Sequence, residues 1–425
     1  MNDRPVPDDR LSVWSLSDPE QPVRVGEVRL IAGNRGLSFT YDLNWIANGY
    51  PLSGDMPLQT APLVPKDREL GLGAISDAMP DRWGEKSIRY LDRPKRVTPL
   101  DLLYFAGDRR FGALGFSINP DRYEPHDNGP LPELDSIEAL MDLIQRIDNN
   151  EPLTEREKTI VSSTRTMGGA HPKALVQVDE RECIAKFPRG SNVDIALIEH
   201  ASLALAASAG ITVSPTLPVR SASGHVVMID RFDRNQGHRL HCLSAKSALL
   251  CGVDPAYPPI DELSYPAMAD FIRQFADPDR QSENRKELFR RMAFNILIEN
   301  TDDHEKNHAF IFEGRHWSLA PVYDVLPLMA NAGHQEMIVG NDGLEGSLAN
   351  ALSQCERFDL KRDEAIETWF AVADRVSQWK EVFSNIGVSA SDIEYLSDFI
   401  DSEDRITMRN RDSIHSLPAP GKGRW

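Results

Sequence analysis

Apolar residues recur with a period of two near the start of the chain and with a helical period later. Between residues 11 and 43 the pattern predicts strands, at Val13, Trp14 and Leu16, then Val25 to Leu30, then Leu37 to Tyr41. The run Ala32-Gly33-Asn34-Arg35-Gly36 supplies turn chemistry between the last two, so a small antiparallel sheet follows. Helical pieces are expected from Trp83 to Tyr90 and from Thr98-Pro99, where Thr98 suits an N-cap and Pro99 the first helical position. Phe111 to Phe116 reads as a return strand. Residues 119 to 134, rich in Pro, Asp and Asn, read as a linker.

After the linker, Ile137, Leu140, Met141, Ile144 and Ile147 form a helical stripe. Strands are expected at Ala174 to Val178 and Cys183 to Phe187, then a helix with Ile195, Ile198, Ala201, Leu205 and Ala206 that ends near Gly210. Two more strands, Thr216 to Val219 and His225 to Ile229, complete a β-β-α-β-β order. Beyond about residue 235 the pattern is mainly helical. Leu288 to Ile298 is apolar over much of its circumference, as in a buried helix. His308 to Leu319 reads as a hairpin turning at Glu313-Gly314-Arg315, and Ser391 to Glu394 has the spacing of a capping box opening a last helix. The expected class is α+β: an N-terminal β-rich domain (1–118), a small mixed β/α lobe including the linker (119–234) and a mainly helical large lobe (235–425).

Composition narrows the function. A chain of 425 residues exceeds one ordinary core, and 41% hydrophobic with 26% charged residues suits a soluble globular protein. The net charge of −18 argues against autonomous binding to nucleic acid or to an anionic membrane. Cys183, Cys242, Cys251 and Cys355 are scattered, as in a reduced cytoplasmic protein. The apolar window from Ile195 to Ile211 is interrupted by Glu199, His200 and Gly210, so no membrane span is expected.

The chemistry concentrates in Asn300-Thr301-Asp302-Asp303-His304-Glu305-Lys306-Asn307. With His308 it contains His304-Glu305-x-x-His308, the pattern of a zinc hydrolase, which needs both imidazoles on one helical face. The β-prone run Ala309 to Phe312 follows at once and argues against that helix. The same stretch holds an acid followed five residues on by Asn, the spacing at which a phosphotransferase sets a base beside a metal ligand. Asp302 then accepts the proton of the attacking hydroxyl, Asn307 and Asp324 hold magnesium, and Lys306 offsets charge on the transferred group. Upstream, Lys186 lies on a strand between Ala185 and Phe187, costly for an ammonium unless anions meet it, and Glu199 on the next helix could hold it. Val226 to Arg234 suits a hinge whose backbone reads adenine. Taken singly, each has an ordinary structural explanation; their order favours phosphoryl transfer.

These residues resemble the HipA-type serine/threonine kinases, toxins of bacterial type II toxin–antitoxin pairs. The most specific piece is Thr166-Met167-Gly168-Gly169-Ala170-His171-Pro172-Lys173, similar to the family's S-x-x-G-A-x-x-K loop; Leu52-Ser53 and Met79-Pro80-Asp81-Arg82-Trp83-Gly84 resemble its N-terminal segment. The resemblance implies a two-lobed protein-kinase-like fold. It makes Gly168, Gly169, Ala170, His171, Pro172 and Lys173 the phosphate loop, Lys186 and Glu199 the nucleotide pair, and Asp230, Arg231 and Phe232 the hinge. It implies Asp302 as base assisted by Lys306, Asn307 and Asp324 on Mg2+, and His304 and Tyr323 beside them at ATP. The family autophosphorylates a serine of the loop; Thr166 stands there, with Ser162, Ser163 and Thr164 nearby, while His171 and Asp303 also depart from the usual residues. Aminoacyl-tRNA synthetases, glutamyl-tRNA synthetase being the familiar one, are the implied substrates. A helix-turn-helix antitoxin is the implied partner and would make the DNA contact. A small-molecule kinase, a non-catalytic pseudokinase and the zinc hydrolase are the competing readings.

Overall fold

A computed structural model describes residues 7–31, 36–65, 71–126, 129–166, 168–169, 171–188, 193–250, 263–328 and 333–416. The turn expected at Ala32 to Arg35, Ala170 of the expected phosphate loop, Cys251 and the chain end from Pro418 lie outside them.

The elements run β1 (Arg10–Ser15), β2 (Val23–Ile31), β3 (Gly36–Tyr41), α1 (Leu43–Asn48), α2 (Gly73–Asp77), α3 (Arg82–Leu91), α4 (Pro99–Phe105) and β4 (Leu114–Ser117). Then come α5 (Ile137–Asp148), α6 (Glu155–Ile160), a 3-10 turn at Ser162–Thr166, β5 (Lys173–Val178), β6 (Arg181–Lys186), α7 (Ile195–Ser208), β7 (Thr216–Ser221) and β8 (Gly224–Asp230). Three short strands follow, β9 (Arg234–Asn235), β10 (His238–Arg239) and β11 (His241–Ser244), with α8 (Ala245–Leu250), α9 (Tyr265–Phe275) and α10 (Gln281–Leu297) after them. β12 (Ala309–Glu313) and β13 (His316–Leu319) lie either side of Gly314-Arg315, and α11 (Leu348–Leu352), α12 (Arg362–Val376), α13 (Trp379–Ile386), α14 (Ala390–Ile400) and α15 (Glu403–Arg409) end the chain.

Packing yields two compact units. The first comprises Met1–Gly190, Pro215–Pro259 and Phe310–Arg315; the second comprises Ser191–Ser214, Ile260–Ala309 and His316–Trp425. In the first, an antiparallel sheet has the order β3-β2-β1-β4, with Val13 opposite Gly26 and Phe116. Gly26 is obligatory there, since a Cβ would lie 2.2 Å from the Thr40 carbonyl oxygen. A second antiparallel sheet has the order β5-β6-β8-β7. The α5 stripe of Ile137, Leu140, Ile144 and Ile147 packs with Val176, Val178, Ala185, Val226 and Met228 of that sheet. Each valine, leucine, isoleucine or methionine among them contributes about 1.5–3 kcal/mol when fully buried. Trp83 and Leu91 of α3 enter the same core, so the N-terminal helices and the second sheet share it.

The second unit is built on α10. Leu288, Phe289, Met292, Phe294, Ile296 and Leu297 are at most 1% exposed, which places apolar contacts around most of that helix. Arg291, buried on α10, ion-pairs with Glu287 and donates to the Ala320 carbonyl at 2.8 Å, while Glu287 also accepts from the Thr212 hydroxyl at 2.9 Å. Helix α7 packs on α12 and α13 and so belongs to this unit.

Capping chemistry starts several helices. Thr98 and Asp101 bond reciprocally at the start of α4, and Thr154 and Glu157 do so at α6, which the apolar pattern alone does not reveal. Two expectations need correction. The return strand begins at Leu114 rather than Phe111, because Gly112 is left-handed (φ 75°) and its amide is drawn to Asp233 at 2.7 Å. The helix expected from Ser391 is capped by Ser389, whose Oγ accepts the Asp392 amide at 3.1 Å, and α15 follows it.

One buried group makes the first unit acid-sensitive. His241 packs beside Tyr50 and Phe312, 2.7 Å from the Leu52 carbonyl, and burial lowers its pKa from 6.5 to about 4. The unfolded chain takes up the proton first, so this stability is complete above pH 6.5 and is lost as the pH falls towards 4, about 3 kcal/mol in all. Urea titrations at pH 7, 5.5 and 4.5 should show a steeper loss for the wild type than for His241→Gln.

Candidate active site

The expected nucleotide residues of the first unit cluster where β5 and β6 begin and end. Lys173 opens β5, Lys186 closes β6, and the two are direct cross-strand partners. Strand β6 is held on its other side by β8, with Lys186 opposite Val227, so its position is rigid. Ala185 and Phe187, flanking Lys186, are buried. Like charges directly opposite on a sheet repel, and an anion between them relieves that repulsion. Immediately before β5 the chain passes through Gly168 and Gly169. Gly169 is left-handed (φ 95°), and a Cβ on it would lie 2.6 Å from Lys173 Nζ, so the ammonium is folded back over the glycines. The Gly169 amide donates to Asp81 at 2.6 Å. Pro172 is buried and its carbonyl accepts the Phe187 amide at 3.2 Å, whereas His171 is exposed. Of the neighbouring hydroxyls, Ser163 and Thr164 are buried, while Ser162 and Thr166 are half-buried; Thr166 donates to the Ser163 carbonyl at 3.2 Å.

The side chains of the expected hinge residues have partners of their own. Asp230 accepts from Arg181 at 2.5 Å and from the Cys183 thiol, whose pKa burial and this carboxylate push up to about 12. The five guanidinium protons of Arg231 are matched by Asp233 (2.9 and 2.7 Å), the carbonyls of Arg109 and Arg110 (2.7 Å each) and Glu182 (3.4 Å). The amides of Asp230 and Arg231 donate to the carbonyls of Pro215 and Glu182. Phe232 packs edge-on against Phe111 at 6.0 Å. The Arg231 side chain is therefore a structural tie. Burial raises the Asp233 carboxyl, but Arg231 and Arg234 outweigh it and hold the group below the usual carboxylate range. Sequence reasoning missed the role of Asp233 because the Gly112 amide that it accepts lies 121 residues away.

In the second unit, residues 301–308 form a loop of turns without helix, so His304 and His308 lack the shared helical face that the zinc pattern requires. His308 is buried, with Nε2 2.9 Å from Asp303. Asp303 is also gripped by the Tyr265 hydroxyl, which accepts from Asn295 at 3.0 Å, and Asn295 in turn accepts from Asn300 at 3.1 Å. Burial, then the Asp303 charge, hold the Tyr265 phenol well above its ordinary pKa. Above this buried network Asp302 and Lys306 are exposed. The Asn307 amide nitrogen donates to the Asp302 carbonyl at 3.1 Å, which turns its oxygen the other way. The Asn307 backbone amide donates to the His304 carbonyl at 2.8 Å, and His304 Nδ1 accepts the Lys306 amide at 3.2 Å. The Tyr323 hydroxyl donates to the Lys306 carbonyl at 2.8 Å, which ties the segment carrying Asp324 to the loop. Asp324 itself is left-handed, φ 59°, a conformation uncommon outside glycine and more tolerated by Asp and Asn. An amide oxygen and a carboxylate are hard donors of the kind magnesium takes, so Asn307 and Asp324 each have the chemistry of a ligand to that ion. Glu199, on α7, is 4% exposed.

Removing the Tyr265 hydroxyl leaves Asp303 and Asn295 short of a partner, which costs about 1–3 kcal/mol. Tyr265→Phe should lower the urea midpoint of the second unit correspondingly, and unchanged stability would contradict the network's role.

The chain matches the HipA-like C-terminal domain over residues 165–380 and the HipA N-terminal domain over residues 21–117. It is 24% identical over 323 residues to the kinase candidate Y4mE of Sinorhizobium fredii, covering 69% of this chain and 73% of that one. Among solved structures it is similar to Shewanella oneidensis HipA, crystallised with HipB and operator DNA, with a TM-score of 0.68 at 16% identity over 96% of this chain and 100% of that one. The Helicobacter pylori proinflammatory kinase CtkA aligns with a TM-score of 0.45 at 15% identity, over 59% and 93% of the two chains.

Proposed function

Because the chain belongs to the HipA family of toxin kinases, we propose that it transfers the γ-phosphoryl group of ATP to a serine or threonine hydroxyl of a protein. The observation that carries this reading is the pair Lys173 and Lys186, opposite each other on β5 and β6 beside the two glycines. Two lysines at the ends of these strands, beside a flexible glycine backbone that lets phosphates approach closely, suit a polyanion. In the proposed reaction the substrate oxygen bonds to the γ-phosphorus as the bond to the β,γ-bridging oxygen breaks, and Asp302 takes the hydroxyl proton. Lys306 offsets charge on the phosphoryl group in flight. Magnesium, held through Asn307 and Asp324, would supply further charge neutralisation at the phosphates.

The same reading assigns Thr166 as the autophosphorylated residue and an aminoacyl-tRNA synthetase as the substrate class, with the cytoplasm as the place of action. Among the described residues, no helix is long and apolar enough to cross a membrane. The proposed partner is a helix-turn-helix antitoxin. A net charge of −18 supports the idea that such a partner, rather than this chain, meets DNA.

Incubation with γ-labelled ATP and magnesium, alone and with a bacterial lysate, tests this. Label is expected on a peptide containing Thr166 and on a lysate protein identifiable as a synthetase. Asp302→Asn should reduce labelling by about two orders of magnitude or more. Equal labelling by that variant, or no ATP binding by the wild type, would overturn the reading.

A further inference from the structure

Helix α3 holds the proposed phosphate loop from both of its own ends, about 15 Å apart. Asp81 occupies its N-cap, where an aspartate ordinarily accepts a hydrogen bond from the first turn of its own helix. It makes no such bond. Its Oδ1 accepts the Gly169 amide at 2.6 Å instead, and the Trp83 amide donates back to the Gly169 carbonyl at 3.1 Å. The fit leaves no spare room: a Cβ on Gly168 would lie 2.3 Å from Asp81 Oδ1 and 3.2 Å from the Asp81 amide nitrogen. Arg82, next in the chain, adopts φ 37°, a region disfavoured for any residue with a Cβ.

At the far end of α3, Asp92 places a carboxylate at the negative pole of the helix dipole, an unfavourable position by itself. There it ion-pairs with the buried Arg165 at 2.7 Å and meets His126 at 3.2 Å. Between these ends, the Trp83 indole donates to the Lys173 carbonyl at 2.8 Å. Gly169 and Lys173 thus hydrogen-bond to α3 or its N-cap, and Arg165 ion-pairs with its C-cap, at the middle, end and start of the glycine loop.

We propose that Asp81 is a positioning residue for nucleotide binding. It diverts its carboxylate from helix capping to the Gly169 amide and so sets the path by which the loop brings Lys173 opposite Lys186. This rests on the reading of Gly168 to Lys173 as the phosphate loop. The consequence is that ATP affinity depends on a residue of the N-terminal segment that itself contributes no charge suited to phosphate.

The test compares ATP binding and steady-state kinetics of the full chain with Asp81→Leu, which removes the acceptor, and Asp81→Asn, which keeps an oxygen in place. Loss of a hydrogen bond of this kind should raise the KM for ATP by roughly tenfold or more in Asp81→Leu, with a smaller effect on kcat. Asp81→Asn should stay close to wild type, and the Tm of both should change little. A wild-type KM in Asp81→Leu overturns the proposal while leaving the kinase reading intact. Failure of the wild type to bind ATP overturns the kinase reading and this proposal with it. Should Asp81→Leu not fold, Gly168→Ala decides. It leaves Asp81 and α3 in place but forces the loop off the carboxylate, so it should raise the KM for ATP in a stably folded protein, and an unchanged KM overturns the proposal. Where both variants fold, their effects must be less than multiplicative in the double variant, because they break the same contact.

Discussion

The first unit depends on the buried pair of Arg231 and Asp233. A guanidinium and a carboxylate withdrawn from water cost several kcal/mol each by desolvation, and removing one partner alone typically destabilises by about 3–5 kcal/mol. Here the cost is offset by complete hydrogen bonding, with every guanidinium proton of Arg231 matched and Asp233 also accepting the Gly112 amide. The partners come from three distant stretches: residues 109–112, β6 and the end of β8. Their satisfaction demands that β4 and the second sheet be placed together, and Trp83 and Leu91 then reach the core beneath α5.

The second unit follows the same principle at its loop. Tyr265 from α9, Asn295 from α10 and Asn300 and Asp303 from the loop form one buried hydrogen-bonded chain, with His308 close beside Asp303. Such a network holds the backbone in one arrangement because each alternative leaves a buried polar group unmatched. The exposed Asp302 and Lys306 are carried on this base, as a proposed catalytic pair must be if its geometry is to be held without substrate. Ion-pairing of Arg405 on α15 with Glu299, itself left-handed at φ 63°, extends the buttress to the C-terminal helices.

Much of the secondary structure was legible in the chain. Alternation at Val13 to Tyr41, the stripe on α5 and the apolar girth of α10 each follow from local burial, which leaves a periodic trace. Short elements without a stripe, such as α1, α2 and α6, were not legible, and neither was the start of β4, where a distant aspartate draws Gly112 out of the strand. Of the proposed site, Asp302 and Asn307 were suggested by their spacing, Lys186 by its place on a strand, and the two glycines by the resemblance of their loop. The roles of Asp233, Tyr265 and Asp81 could not be foreseen, because Gly112, Asp303 and Gly169, which they bind, are remote in sequence.

By itself, then, the sequence determined the residue types and spacings that suit phosphoryl transfer, the strand and helix periods, and the acidity that disfavours direct DNA binding. Tertiary structure decided the rest. It tied the Arg231 side chain to Asp233, Glu182 and two carbonyls, and it turned His308 inward to Asp303 on a loop without helix. It also took Asp81 from its own helix cap and set it on Gly169. The physical reason is common to all three: a polar group's role depends on which partner remains when water is excluded, and that partner is known only once the chain has folded.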